Sequence, residues 1–183
     1  MKTIIIKAVE LFDETTERFL ELEKDQKLVI EHSLVSISKW ESKWKKPFIS
    51  TKEKSMEELQ DYVRCMTLTQ NVDENVYKFI TVPLMNEIIE YMNDPMSATW
   101  FSDADKKYNG RGGEVITSEL IYYWMTAANI PMECQKWHLS RLMTLIRIAG
   151  EKNAPPKKMS KNDILKQNKS LNAMRRAKAK SRG

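Results

Sequence analysis

The period at which apolar residues recur changes several times along this chain, and each change marks an element. "TIIIKAV" (3–9) is rich in β-branched residues and predicts a strand. "ERFLELE" (17–23) and "KLVIEHS" (27–33) flank the polar "KDQ", whose length suits a hairpin loop. Together they predict a small N-terminal antiparallel sheet of two or three strands. Helical spacing follows. Ile37, Trp40 and Trp44 recur at intervals of three and four, and "KKPF" ends that helix at Pro47. Ser55 and Glu58 form a capping box ahead of a Leu59, Tyr62, Val63 and Met66 stripe. Pro83 opens a further helix whose apolar face is Leu84, Ile88, Tyr91 and Met92.

"SATWFS" and "EVITS" then read as two short strands, a hairpin near 97–117 with the turn-rich loop "DADKKYNGRGG". "SELIYYWMTAANI" (118–130) and "MECQKWHLSRLMTLIRIA" (132–149) are the strongest helical patterns, hinged at Pro131. In the second, Leu139, Leu142, Met143 and Ile146 share one face, with Lys136, Ser140, Thr144 and Arg147 opposite. Gly150 and the two prolines of "GEKNAPPKK" break the chain. Ser160 and Asp163 make a second capping box beyond it, opening a helix with few apolar positions: Ile164, Leu165, Leu171 and Met174. Isolated helices shorter than about 12–15 residues are marginal in water, so this one is expected to be firm only when docked. The fold class is therefore α+β and mostly α. A small N-terminal sheet precedes about five helices, a hairpin near 97–117 and a basic C-terminal helix. Residues 1–150 form one globular domain, 151–159 a linker and 160–183 a basic arm.

A chain of 183 residues can bury one real core and is short for two. Charge changes the picture more than length does. Residues 151–183 hold 11 Lys/Arg and 2 Asp/Glu, a net of +9, whereas residues 1–150 hold 19 and 23, a net of −4. The overall basicity belongs to the arm and says nothing of the fold. Two cysteines, Cys65 and Cys134, are too few for a disulfide framework and favour a reducing compartment. The start "MKTIIIKAVELF" mimics a signal peptide until Lys7, Glu10 and Asp13 interrupt it, and no run approaches a membrane span. Five glycines, none before Gly110, exclude phosphate loops and dinucleotide fingerprints from the first hundred residues, and "NGRGG" fits neither spacing.

Catalytic and metal grammar is sparse. Cys134 and His138 stand one helical turn apart, with Cys65 and His32 to complete four ligands, but paired zinc knuckles are missing. A Cys134–His138 nucleophile pair would need an oriented base and an oxyanion site that nothing marks. Asp103 and Asp105 sit in a lysine-containing loop, where acids are usually solvated. No catalytic, cofactor or metal residue is assigned. "KWESKWKK" (39–46) interleaves tryptophan with lysine, which can signal base stacking plus phosphate contact. Trp40 and Trp44 continue the Ile37 face, however, which favours core. The 11 methionines suit either core filler or a surface that re-packs, and filler is favoured for Met66 and Met143. By composition the arm fits phosphate neutralisation, an acidic protein groove or a solvated tail equally.

Four stretches, "EHSLVSISKWESKWKKPF" (31–48), "EVITSELIYYWM" (114–125), "IPMECQKWHLSRLMTLI" (130–146) and "NAPPKKMS" (153–160), carry a resemblance. Together they resemble the tail assembly chaperones of long-tailed bacteriophages, over most of the chain from about Glu31 onward. The resemblance implies a small, mostly helical, non-enzymatic protein of the bacterial host cytoplasm, absent from the mature virion. It implies binding to the tape measure protein, with the major tail protein and other copies of the chain as further partners. It brings no catalytic residue. A tape measure exposes long apolar helix stripes before the tube covers them, so its chaperone needs an adaptable apolar groove. Tyr123, Trp124, Trp137 and Arg141 on the paired helices 118–149 are the expected grip. Ile164, Leu171, Met174, Arg175 and Arg176 in the arm are expected to add docking and steering. The alternative is a nucleic-acid-binding or head–tail structural phage protein acting through residues 157–182.

Overall fold

A computed structural model of the chain describes residues 1–13, 17–51, 53–99, 101, 115–153 and 161–179. The fold is mixed α and β, mostly helical, with antiparallel strand pairs at the N-terminus. Met1–Glu151 forms one compact unit and Lys152–Gly183 a second.

The strands are β1 (Lys2–Ile6), β2 (Val9–Asp13), β3 (Arg18–Leu22) and β4 (Gln26–Ile30). They do not pair as the sequence pattern predicts. β4 pairs with β1, and β3 pairs with β2, so "KDQ" closes no hairpin. The four strands instead make one long ribbon, interrupted where residues 7–8 face residues 23–25 between the Ile6↔Gln26 and Val9↔Leu22 pairs. That unequal count is a bulge. Asp25 bridges it, accepting from Lys7 Nζ at 2.7 Å and from the Ala8 amide at 2.9 Å. Ile4, Ile6, Leu28 and Ile30 on the inner half are buried, while most of the outer half is exposed. A polar break looks the same in sequence whether it turns a chain or bulges it. The partner is decided by which apolar residues can reach the core.

Among the described residues five α-helices follow the strands: α1 (Leu34–Trp44), α2 (Met56–Met66), α3 (Val82–Asn93), α4 (Ser118–Ala127) and α5 (Leu139–Asn153). Short 3-10 turns span Glu74–Phe79 and Met132–Lys136. α1 starts at the Ser33 cap, stops at Trp44 and leaves through Lys45 in the left-handed region. The Ser55–Glu58 box forms as expected: Ser55 Oγ accepts from the Glu58 amide at 3.2 Å, and Glu58 Oε2 from the Ser55 amide at 2.9 Å. Ser55→Ala is expected to cost about 1 kcal/mol in urea unfolding, the usual value of a lost cap.

Three expectations are corrected. The helix predicted over 132–149 begins only at Leu139, because Met132–Lys136 is a 3-10 turn and His138 bridges back to Ser33. The Leu139 amide donates to the His32 carbonyl at 2.7 Å, which fixes that start. Around the predicted 97–117 hairpin, residues 97–99 and 115–117 form no strand, and 102–114 lie outside the described residues. α5 also runs to Asn153, three residues into the predicted linker. α6 (Lys161–Ala179) is a helix as expected; Ser160 and the side chain of Asp163, its proposed capping box, lie outside the described residues.

Two apolar clusters fill the first unit. The larger gathers Ile4, Leu28, Ile37, Trp40, Tyr62, Met66 and Ile88 from ribbon, α1, α2 and α3. The smaller joins Leu34 to Ile121, Met125, Ile130, Cys134, Leu142 and Ile146. Glu41 ties loop to helix, its buried carboxylate accepting from the Phe48 and Ser118 amides, both at 2.8 Å. The second of these puts a negative charge at the N-terminus of α4, where the helix dipole favours it.

Candidate functional site: an apolar groove between α2, α3 and α5

Leu59 of α2, Ile89 and Met92 of α3, and Leu139 and Met143 of α5 line an open groove of about 620 Å³. All five are half-buried. Each packs against a core cluster on its inner side and leaves the remainder to the groove. The groove arises because α3 buries Ile88 and Tyr91, which sets Ile89 and Met92 to one side of its core face. α5 likewise buries Leu142 and Ile146 and leaves Met143 beside them. Asn93, Ser140 and Lys54 give the groove polar points. Lys54 donates to the Thr51 carbonyl at 2.6 Å and stands 4.4 Å from the Phe48 ring centre. Burial pushes its ammonium pKa down, against the pull of Glu58.

His32 forms part of the wall, and its surroundings explain its state. The Ser33 carbonyl can only accept, so the Ser36 hydroxyl donates to it at 2.7 Å. Tyr62 then donates to Ser36 Oγ at 3.2 Å, and His32 Nδ1–H donates to Tyr62 Oη at 2.6 Å. His138 lies edge-on to His32, ring centres 5.2 Å apart. Its Nε2 meets the Tyr91 carbonyl at 3.1 Å, which places the proton there and leaves buried Nδ1 with no partner. Both rings are held neutral. Burial first, and then the neighbouring His138, drive the His32 pKa from 6.5 down to about 3. Burial lowers His138 too, against the Tyr91 carbonyl, Glu31 and Asp94.

The expected grip is only partly assembled. Trp137 and Arg141 come together, the guanidinium 4.4 Å from the ring centre, and Tyr123 is exposed. Trp124, however, is half-buried against the smaller cluster. The apolar sides of α4 and α5 meet in that cluster, and the groove lies on the α2–α3 side of α5. In α6, Leu171, Met174, Arg175 and Arg176 are exposed, and the Ile164 side chain lies outside the described residues. By apolar period alone Met92 and Met143 belong to core faces. The signal that could have moved them is their offset by one position from the buried Tyr91 and Leu142.

Other candidates resolve differently. Trp40 is fully buried and Trp44 half-buried, with Lys43 and Lys46 paired to Asp61 at 2.7 Å and Glu58 at 2.6 Å. Those carboxylates occupy the lysines that a phosphate would need. Burial alone would raise the Asp61 pKa, but donors from Lys43, Trp44 and Arg64 hold it below the usual range. Cys134 sits in the 3-10 turn, so it and His138 do not share a helix. Among the described residues, no group of three or more His, Cys, Asp or Glu could hold a metal ion, and no helix is long and apolar enough to cross a membrane. Asp103 and Asp105 lie outside the described residues. Comparison with protein-family models, with curated proteins and with solved structures finds no match to this chain in any of the three.

Proposed function

We propose that this chain is a non-enzymatic tail assembly chaperone of a long-tailed phage, gripping apolar helices of the tape measure protein before the tube encloses them. The groove of Leu59, Ile89, Met92, Leu139 and Met143 is the observation that carries the reading. It has the size of a specific binding cleft, and flexible thioethers let it accept varied helix faces. The resemblance of the four stretches supports the same reading. On this view the protein acts in the host cytoplasm and is missing from finished virions.

Co-expression with the cognate tape measure is expected to keep that protein in solution and to co-purify it. Failure of both removes the proposal. Met92→Glu with Met143→Glu puts two charges into the groove and is expected to weaken capture at least about tenfold, with circular dichroism unchanged. Capture that survives the double substitution moves the grip elsewhere on the molecule.

One observation favours a second reading, nucleic-acid binding by the arm. α6 holds six basic residues and one acidic one, and Lys166, Lys169, Arg175, Arg176 and Lys178 are exposed. This reading expects co-purifying nucleic acid and an affinity that falls steeply with salt.

A further inference from the structure

The outer half of the ribbon presents a face unlike the rest of the molecule. Glu10 lies directly opposite Glu21, and Phe12 directly opposite Phe19. Alternation along a strand puts these four on one side, with Val9, Leu11, Leu20 and Leu22 on the other. Of the second set, Leu22 is buried and Leu20 packs on the larger cluster, while Val9 and Leu11 are 41% and 39% exposed. The first set faces out: Phe12 is 51% and Phe19 68% exposed, their rings 5.0 Å apart.

Both halves of this face are costly in isolation. Like charges directly opposite across a strand pair are destabilising, and Glu10 and Glu21 make no ion pair among the described residues. Two phenylalanines in water forgo the gain from burial. Residues 7–25 hold seven Asp/Glu and three Lys/Arg, inside a chain whose net charge is +5. That local charge decides between occupants, because it repels phosphate, anionic lipid and acidic peptide alike.

We infer that this face docks a basic amphipathic helix of a partner protein, with an apolar residue on the Phe12–Phe19 pair and a lysine or arginine between Glu10 and Glu21. The spacing fits. Phe12 and Glu10 are two residues apart on a strand, about 7 Å, while positions i and i+4 of a helix are separated by about 6 Å. The cation would also meet the phenylalanine faces. This face is separate from the α2–α3–α5 groove, and the inference does not rest on the chaperone reading.

The test titrates full-length protein with a helical peptide of about 18 residues, leucines on one face and lysines on the other, and with its glutamate counterpart. The lysine peptide is expected to bind despite the positive charge of the whole chain, more weakly at high salt, and the glutamate peptide is expected not to bind. Glu10→Lys with Glu21→Lys, and Phe12→Ser with Phe19→Ser, are each expected to weaken binding at least about tenfold at an unchanged melting temperature. Glu10→Gln with Glu21→Gln provides the milder check should the lysine variant misfold. Equal binding of both peptides, or binding indifferent to these variants, overturns the inference. So does sedimentation showing that the unmodified chain self-associates through this face and takes up no peptide, which makes the occupant a second copy.

Discussion

Trp40→Ala is expected to remove about 3–5 kcal/mol of folding free energy, the range for deleting a fully buried aromatic side chain. Trp40 touches the core on several sides. Its ring meets Phe48 edge-on at 5.1 Å and stacks with Trp44 at 6.0 Å, while Nε1 donates to the Glu58 carbonyl at 2.9 Å. Alanine leaves a cavity between α1 and α2 and removes the Nε1 bond to the Glu58 carbonyl. A domain is typically stable by about 5–15 kcal/mol, so much of the margin goes in one substitution. Urea unfolding followed by circular dichroism measures the loss. Trp40→Phe is expected to recover most of it, because packing dominates and one hydrogen bond is worth about 1 kcal/mol. Trp44→Ala is expected to cost clearly less, since that side chain is only partly buried. Equal losses at the two positions would contradict the assignment of Trp40 to the core.

Acid is expected to unfold the body through its paired histidines. The His32 pKa is lower folded, about 3, than its ordinary 6.5. Between those values the unfolded chain binds a proton that the folded chain refuses, so stability rises with pH across that window and is lost as pH falls. The slope is about 1.4 kcal/mol per pH unit, and lowering pH from 7 to 4 costs about 3 kcal/mol from His32 alone. His138 acts in the same direction. A proton on its Nδ1 would create a buried N–H without an acceptor, 5.2 Å across from the His32 ring. Asp61 adds to the loss at lower pH, because its carboxylate is held below its ordinary range by Lys43, Trp44 and Arg64. Melting temperatures from pH 7 to pH 4, with His32→Gln alongside, check this. The substitution keeps a donor toward Tyr62 and is expected to flatten the profile. An unmodified protein whose stability is level from pH 6.5 to pH 4 would show that these rings are wetter than the geometry implies.

Much of the fold was legible because local chemistry and burial agree. Ser55 with Glu58, Pro83 and the Leu59–Met66 stripe each carry their own physical signal, and each became the element expected of it. Pairing was less legible. The break at "KDQ" was visible, but whether β3 returns along β4 or along β2 depends on residues 20 positions away. The groove was least legible, because Met92 and Met143 differ from core methionines only in what stands over them.

By itself the sequence determined the N-terminal strands, most of the helices and their order, and the charge division between residues 1–150 and the arm. Those follow from side-chain period, caps and composition, all properties of neighbours along the chain. Tertiary structure alone decided that α4 and α5 bury apolar sides in one cluster and that two buried histidines 106 positions apart meet edge to face. It also decided that one face of the ribbon sets glutamate against glutamate beside two bare phenylalanines. Such outcomes depend on which surfaces exclude water from one another, and no local stretch of residues specifies that.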